Sequence, residues 1–264
     1  DAITLANDGT CTANITNRSN RNLIINGAMQ VAQRGTSSTT SGYNTVDRYK
    51  NTFSGTDEAP TFAQADVASG TTPYTLGFRK SLKVTNGNQT SGAGAGDYVI
   101  IMYKTEAQDL ANSGWNYLSA SSYITLSFWV KASVAQNYYF RLQTKDGGST
   151  YNYPMETGSL SADTWTKITK TIPGNSNLQI DSDNGEGPKI EWSMFKGTDH
   201  TASSSTLNQW AGYADGTHTP DQTSTWYTTN DATFEITGVQ LEVGSVATDF
   251  EHRSYAQELL LCQR

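Results

Sequence analysis

The sequence predicts an all-β protein built as a single antiparallel β-sandwich. Charged residues make up only 16% of the chain, against a usual ~25%, and turn-forming residues, among them 23 glycines, fill the difference. Several segments alternate apolar and polar residues with the period of two that marks a half-buried strand. Turn residues separate these segments, as a sandwich requires. At 264 residues, one large all-β domain is favoured over two small ones.

Residues 1–21 are expected to form a stem or linker. A short apolar segment precedes an Asp8-Gly9 turn signal, and Thr10, Thr12 and Ile15 follow it, which is a hairpin-like rhythm with little to bury. A two-stranded unit is marginal alone, so it would need copies from neighbouring chains to pair with or wrap around. A disordered or extended linker is the equal alternative. No basic signal-peptide segment or initiator Met opens the chain, which suggests a fragment of a longer protein.

The first part of the sandwich is predicted to contain short strands and one short helix. Thr105–Asn112 can form a helix of one to two turns, because Thr105 can cap it and Glu106 suits the first turn. The strands are predicted at Val46–Phe53, Thr61–Asp66, Ser81–Val84 and Asp97–Lys104.

The middle of the chain carries the clearest strand pattern, because apolar residues share one face of each segment. Its strands are predicted at Ile124–Val130, Tyr138–Leu142, Tyr151–Met155, Thr166–Ile172 and Ile190–Phe195. One shared core is expected from Leu126, Phe128, Val130, Tyr138, Phe140, Leu142, Ile168, Ile172, Ile190, Trp192, Phe234 and Ile236.

A long central strand follows, with a slip in its phase. Phe234 and Ile236 alternate with polar neighbours, but the next apolar residue, Val239, comes three positions after Ile236 rather than two. A bulge at Thr237-Gly238 absorbs the extra residue, and glycine is the usual residue there. Phe234, Ile236, Val239 and Leu241 should therefore all face inward.

The end of the chain is predicted to be helical. Ser254 with Gln257 fits a capping box, and Tyr255, Leu259 and Cys262 then fall on one side. A helix this short is marginal alone, so it must dock on the sandwich or on a neighbouring protomer. The predicted organisation is a stem at 1–21, a sandwich at 22–250 and a helix at 251–264.

Composition also restricts the partners. The net charge of −7 repels nucleic-acid phosphate and anionic membranes, and no apolar run approaches the ~20 residues of a membrane span. We therefore expect no nucleic-acid partner and no membrane insertion. Cys11 and Cys262 are expected to be free thiols in a protein made in a reducing cytoplasm.

Known catalytic patterns are missing from the sequence. His200, His218 and His252 are far apart, without an HExxH or Cys-x-x-Cys motif, so neither a metalloprotease nor a structural zinc site is indicated. No G-x-S-x-G elbow or phosphate-binding glycine loop occurs. The expectation is a protein that is not an enzyme and needs no cofactor.

One acidic segment leaves two weaker alternatives open. Asp181, Asp183, Glu186 and Glu191 are close in sequence, and paired carboxylates can hydrolyse glycosides. Oxygen ligands at alternate positions also partly resemble a calcium loop, with Asp181 and Asp183 as weak metal candidates. Trp192 stands where that loop needs its closing acidic ligand, and a solvated turn is the favoured explanation of the segment.

Aromatic residues point to sugar binding, since aromatic rings stack on the apolar faces of sugars. Trp129 lies on the polar side of its strand. The stretch Gly197–Asp231 is too long for a plain connection and contains Trp210, Tyr213 and Trp226. These four residues are the candidate carbohydrate-binding set. Packing in a core or an interface is the commoner fate of a tryptophan, and an excursion packed on the sandwich or used in subunit contacts is favoured over a binding loop for this stretch.

Three segments carry a family resemblance. Residues 236–264, ITGVQLEVGSVATDFEHRSYAQELLLCQR, resemble the C-terminal signature of virion proteins from marine tailed bacteriophages, although related chains often have Pro where Asp249 stands. NLIINGAMQVAQRGTS at 22–37 and TVDRYK at 45–50 look like the opening blocks of the same module. The resemblance implies a jelly-roll sandwich similar to the carbohydrate-binding modules of bacterial glycoside hydrolases, at the end of tail-fibre or other external virion proteins.

The resemblance and the aromatic residues together suggest a function. The expectation is a module at the tip of a phage fibre or spike, on the external surface of the virion, that adheres to polysaccharide on the host cell. Its partners would be other virion proteins and copies of itself, as a homotrimer, because fibre proteins of the resembled family are commonly trimers. The alternatives are a cellular polysaccharide-binding module, a capsid or tail decoration protein without a ligand, and a polysaccharide depolymerase.

Overall fold

Alternating apolar residues build two six-stranded sheets that face each other. The computed structural model describes residues 3–5, 11–13 and 20–263, and only the backbone of the first two segments. The strands are β1 (Ile3–Leu5), β2 (Cys11–Ala13), β3 (Ser37–Ser38), β4 (Tyr49–Ser54), β5 (Thr61–Asp66), β6 (Lys80–Thr85), β7 (Tyr98–Glu106), β8 (Tyr123–Ala132), β9 (Asn137–Thr144), β10 (Tyr151–Ser159), β11 (Thr166–Pro173), β12 (Glu186–Lys196), β13 (Ala211–Gly212) and β14 (Thr233–Val243). The helices are α1 (Thr72–Thr75), α2 (Ala107–Ala111), α3 (Thr225–Thr228) and α4 (Tyr255–Cys262), with a 3₁₀ turn at Asp215–Thr217.

The strand order confirms the predicted fold class, an antiparallel jelly-roll β-sandwich. The front sheet has the order β13-β10-β9-β12-β7-β4, and the back sheet has the order β11-β8-β14-β6-β5-β3. In the stem, β1 pairs antiparallel with β2, with Ile3 opposite Ala13, so the hairpin alternative is the one observed. The predicted Asp8-Gly9 turn lies outside the described residues.

The core between the sheets is the one that strand phase predicts. Phe128 of the back sheet meets Phe140 and Trp192 of the front sheet, with ring centroids 5.1 and 5.7 Å apart and both pairs edge to face. All the predicted core residues belong to this one buried cluster. Their removal from water is the main force that holds the two sheets together.

The predicted bulge in β14 is confirmed. The pairing of β14 with β8 shifts register between Thr237 and Gln240. Gly238 has φ +62°, and a Cβ there would lie 2.6 Å from Cζ of Phe78, so this position needs glycine for both its backbone and its space. The slip brings all four predicted apolar residues into the core, namely Phe234, Ile236, Val239 and Leu241.

Two predicted boundaries are wrong for reasons of local geometry. The strand predicted from Val46 begins at Tyr49 instead, because Arg48 adopts φ +73°, a left-handed conformation that interrupts regular strand geometry. The helix predicted from Thr105 begins at Ala107, because Thr105 still belongs to β7 and its hydroxyl donates to the Pro188 carbonyl instead of capping.

Helix α4 forms with the predicted capping box at Ser254, and two of the three residues on its predicted docking face, Leu259 and Cys262, are half-buried. Tyr255, expected to be apolar contact, is 56% exposed. The buried residue is Glu258, whose carboxylate accepts hydrogen bonds from the Asn26 backbone amide at 3.0 Å and the Arg253 guanidinium at 3.2 Å. The helix is thus held to its own sandwich by polar contacts. Within the described ranges, no helix is long and apolar enough to cross a membrane.

Candidate functional site

The stretch at 197–231 packs across the front sheet. Its strand β13 adds to the edge of that sheet through β10, and it buries His218, Trp226 and Tyr227. The structure therefore matches the alternative of an excursion packed on the sandwich. This excursion also encloses two cavities against the outer face of the sheet.

The outer face of the front sheet carries charged residues because of strand alternation. Phe140 and Trp192 point into the core, so their neighbours Arg141 and Glu191 point outward. The two are direct cross-strand partners between β9 and β12. Asn152 on the adjacent strand β10 is the cross-strand neighbour of Gln143 and also faces outward.

A second bulge adds a cation to this face. The pairing of β12 with β7 shifts register between Ser193 and Phe195. Met194 and Phe195 consequently both reach the core, and Lys196 turns outward. Without that slip, Lys196 and Glu191, five residues apart, would point to opposite faces.

These residues form a buried ion cluster, defined here as Arg141, Glu191 and Lys196. The Arg141 guanidinium grips the Glu191 carboxylate with two bonds, Nε to Oε1 at 2.9 Å and Nη2 to Oε2 at 3.0 Å. The Lys196 ammonium binds the same Oε1, and all three side chains are only 2–3% exposed. Burial alone would raise the pKa of Glu191, but the two cations hold it well below its usual range.

A chain of hydrogen bonds runs outward from the cluster. Lys196 Nζ lies 2.9 Å from His218 Nδ1, and because lysine can only donate, Nδ1 is the acceptor and the ring proton is on Nε2. Nε2 then donates to the Tyr213 hydroxyl at 2.9 Å, which donates to Asp215 Oδ1 at 2.6 Å. Burial and the bond to Asp215 raise the pKa of Tyr213 to about 12, so it remains a donor near neutral pH.

The same contacts keep His218 neutral. Burial, then the charges of Lys196 and Arg141, lower the pKa of His218 to about 2. Asp215 lies 3.7 Å from Nε2, a distance that would favour a charged histidine, but its side chain is 86% exposed and water screens its charge. Burial and neighbouring cations also lower the pKa of Lys196 to about 7, against the attraction of Glu191.

The depressed pKa of His218 predicts destabilisation in acid. The unfolded chain binds a proton at this histidine near pH 6.5, whereas the folded chain does not until about pH 2. Its stabilising contribution is therefore complete above pH 6.5 and is lost as the pH falls, by about 1 kcal/mol per pH unit. Urea unfolding at pH 8, 6 and 5 should show this slope in the wild type and a shallower one in His218→Gln. Equal slopes would count against it.

The first cavity, called here the charged cavity, has a volume of about 200 Å³ and lies over the ion cluster. Its remaining walls include Tyr98, Lys189, His200, Tyr213 and His218. It is therefore a polar hollow with cationic groups in its floor.

The second cavity, called here the tryptophan cavity, has a volume of about 250 Å³ and is lined in part by Trp210, Gln209 and Ser205. The Trp210 indole N–H donates to the Pro173 carbonyl at 2.7 Å, which fixes the ring. Asn152 lines this cavity and also accepts a long bond from Arg141 Nη1 at 3.4 Å. The two cavities are therefore neighbours on one surface.

The structure separates the four candidate carbohydrate-binding residues. Trp210 lines the tryptophan cavity, with its ring packed on Tyr153 of the core at 5.1 Å, and Tyr213 lines the charged cavity. Trp129 is on the back sheet, in a cavity of about 260 Å³ with Phe78 and Phe250. Trp129 therefore cannot act in the same site as the other two.

The prediction for Trp226 is wrong. Its side chain is completely buried, and its indole N–H donates to the Thr233 carbonyl at 3.1 Å. Helix α3 turns the ring into the core rather than toward solvent, so it has no face to offer a sugar.

The acidic segment forms turns rather than a shared site. Asp183 accepts from the Gly185 amide at 2.8 Å, and the Asp181 amide donates to Asp146 at 2.6 Å. Glu186 is paired with Lys104, away from the ion cluster. Among the described residues, no three His, Cys, Asp or Glu side chains come together as metal ligands.

The cysteine prediction can be followed at one residue. Cys262 has a free thiol, whose pKa burial raises to about 12. The side chain of Cys11 lies outside the described residues.

Sequence reasoning missed the cationic part of the site. Arg141, Lys189 and Lys196 were not singled out, and His218 was considered only for metal binding. The sequence did contain a usable signal, which is charge at outward-facing positions. Arg141 and Glu191 occupy such positions in two strongly apolar strands, where uncharged polar residues would suffice.

Comparison with known proteins finds likeness only among solved structures, since no family model and no curated protein matches the chain. The enzymatically active domain of tailspike protein 4 from bacteriophage CBA120 is 10% identical over 85% of this chain, with a TM-score of 0.42. The chain spans only 22% of that structure. A xylan-binding domain from Paenibacillus barcinonensis is 13% identical, over 78% of this chain and 100% of that domain, with a TM-score of 0.39.

A family 11 carbohydrate-binding module from a Clostridium thermocellum cellulase is also similar. It is 13% identical, over 83% of this chain and 98% of the module, with a TM-score of 0.34. At these identities the likeness concerns the fold alone, so the ligand of the two cavities has to be inferred from their own residues.

Proposed function

We propose that the chain is a non-catalytic glycan-binding module, carried on the outside of a tailed-phage virion at a fibre or spike tip, where it adheres to host polysaccharide. One observation carries the binding proposal. A single excursion contributes Trp210 to the lining of one polar cavity and Tyr213 to the lining of the other, while the Trp210 ring also packs on Tyr153 of the core at 5.1 Å. Such a surface offers a sugar both of the contacts it needs, an apolar ring face and groups that bind hydroxyls.

The tryptophan cavity has the polar groups for hydroxyl recognition. Gln209 and Asn152 line it beside the Trp210 ring. The Ser205 hydroxyl is buried there and has no hydrogen-bond partner among the residues described. Because a buried unpaired hydroxyl costs free energy, a sugar hydroxyl that pairs with it would be favoured.

The composition of the cavities supports binding without hydrolysis. Glycosidases usually need two carboxyl groups about 5–9.5 Å apart, one of them able to give a proton. The described lining of the two cavities contains one carboxylate, Glu191. Arg141 and Lys196 keep it ionised, so it cannot serve as the acid. The cavities therefore support a polysaccharide depolymerase less well than a binding module. A decoration protein without a ligand would leave both cavities without a function.

The virion location rests on the resemblance of residues 22–37, 45–50 and 236–264 to marine phage virion proteins.

We include a homotrimer in the proposal, because α4 leaves Tyr255 56% and Leu260 70% exposed, which suits a contact with a neighbouring copy. Three copies would raise weak sugar affinity through effective concentration. Light scattering on the chain should give three times the monomer mass, and a monomer would count against the trimer.

The decisive experiment compares tryptophans on the two faces. Trp210→Ala should weaken binding to host surface polysaccharide by about tenfold or more, because the stacking platform is lost. Trp129→Ala is the matched control on the back sheet and should bind like the wild type. Affinity electrophoresis on purified polysaccharide measures both, with circular dichroism as the check on folding.

Two results would contradict the proposal. If the wild type binds no host polysaccharide, or if only Trp129→Ala loses binding, the front-sheet site is wrong. Release of reducing sugar by the wild type would instead identify a depolymerase.

A further inference from the structure

The charged cavity contains a surplus of positive charge. Arg141, Lys189 and Lys196 line it, against the single carboxylate of Glu191. The chain as a whole has the opposite balance, with 25 acidic and 18 basic residues and a net charge of −7. A local excess of cations within an acidic protein creates a confined positive potential, and the low-dielectric walls of a cavity strengthen it.

Lys189 is the cation without a partner. Its side-chain ammonium makes no ion pair or hydrogen bond with any other residue in the described part of the chain, although the residue is half-buried. The two carboxylates whose charges act on Lys189 are already paired with other cations. Glu191 is bound by Arg141 and Lys196, and Glu186 is bound by Lys104. Burial lowers the pKa of Lys189, which is the expected response of an ammonium that has lost water without gaining a counter-ion.

A second unpaired group belongs to another residue that lines the same cavity. Nδ1 of His200 is buried and has no hydrogen-bond partner within the described ranges. The ring is held in place, stacked on His218 at 5.5 Å and edge to face with Tyr98 at 5.4 Å. A ligand in the cavity that reached Nδ1 would supply the partner that this atom lacks.

Arg141 and Lys196 take a supporting role. The Arg141 guanidinium is occupied, by two bonds to Glu191 and one to Asn152. Lys196 is shared between Glu191 and His218. Their charges act on a ligand through space, whereas Lys189 and His200 have unused donors.

We infer that the charged cavity selects glycans that carry an anionic group, a carboxylate or a sulfate, with Lys189 and His200 as the residues that bind it. The inference rests on the proposed glycan-binding function and adds the class of sugar. The anionic sugar would occupy the charged cavity, and its neighbour in the polysaccharide would lie against Trp210. The small volume of the charged cavity, about 200 Å³, suits one sugar residue rather than a longer segment.

The test uses three polymers and matched lysine variants of the full chain. Polygalacturonate presents carboxylates, carrageenan presents sulfates, and dextran is neutral. Lys189→Gln removes the unpaired charge, and Lys189→Arg keeps it. Lys83→Gln is the matched control, since Lys83 is also half-buried in a strand but lies on β6 of the back sheet. Titration calorimetry at low salt measures each affinity.

The expected result is a preference that follows Lys189. The wild type should bind one of the two anionic polymers at least tenfold more tightly than dextran, and the choice between them identifies carboxylate or sulfate. Lys189→Gln should lose about tenfold on that polymer alone, while Lys189→Arg and Lys83→Gln should keep the preference. Raising the salt to 0.5 M should weaken the anionic binding, because the Debye length falls to only a few ångströms.

Four outcomes would overturn the inference, and they are distinguishable. Equal binding to all three polymers, unchanged by Lys189→Gln, removes the anionic preference but leaves glycan binding intact. Equal losses in Lys189→Gln and Lys83→Gln indicate general charge attraction rather than a site. An equal loss by Lys189→Gln on dextran and on the anionic polymers indicates a structural role. No binding to any polymer, including host polysaccharide, removes the proposed function as well.

Discussion

Glu191→Gln is expected to destabilise the fold by about 3–5 kcal/mol, the usual cost of removing one partner from a buried ion pair. Glutamine keeps the shape of the side chain but removes the charge that compensates Arg141 and Lys196, which are 2% and 3% exposed. Lys196 can respond by losing its proton, since its pKa is already lowered to about 7. Arg141 cannot, because a guanidinium stays charged in proteins. Most of the cost should therefore come from Arg141.

A second variant tests that assignment. If the stranded guanidinium is the cause, adding Arg141→Met to Glu191→Gln should recover part of the lost stability, so that the two substitutions are strongly non-additive. Asp66→Asn is the matched control, because Asp66 pairs with Lys80 on the surface and such pairs contribute about 0–1 kcal/mol. Urea unfolding measures all three. A loss in Glu191→Gln no larger than in Asp66→Asn would show that the cluster does not stabilise the fold.

The sandwich could be predicted from sequence because its information is local. Burial of Phe128 or Ile168 follows from the alternation of its immediate neighbours. The bulge at Gly238 also follows from a local count, because Ile236 and Val239 are spaced by three. The same count applies to the second bulge, where Met194 and Phe195 are adjacent and apolar, and it would have placed Lys196 on the outer face with Glu191.

The site could not be predicted in the same way, because it depends on sheet order. Arg141 and Glu191 are 50 residues apart and meet only because β9 and β12 are neighbours. Alternation predicts that each faces outward but does not predict which strands pair. Residue type and loop position alone singled out Trp210 and Tyr213 as sugar-binding candidates, and that choice stays a prediction.

Trp226 shows the limit of reasoning from loop position. It lies in the same polar excursion as Trp210, yet its ring is completely buried. The difference arises where the chain folds back, since the Trp226 amide donates to Gln136, 90 residues away, and Asn86 donates to the Tyr227 carbonyl. These polar anchors are distant in sequence, so no local pattern separates the two tryptophans.

Phe128→Ala is expected to cost about 3–5 kcal/mol, the range for truncating a buried phenylalanine. Phe128 is fully buried, and its ring meets Phe140 and Trp192 of the opposite sheet edge to face. Alanine would leave a cavity between the two sheets, where neighbouring rings fixed on strands can relax only partly. Tyr123→Ala is the matched control, an aromatic residue at the exposed start of the same strand, and should cost less than about 1 kcal/mol. Urea unfolding at pH 8 compares the two. Because Phe128 joins the sheets and Tyr123 does not, equal losses would mean that packing between the sheets is not what stabilises the sandwich.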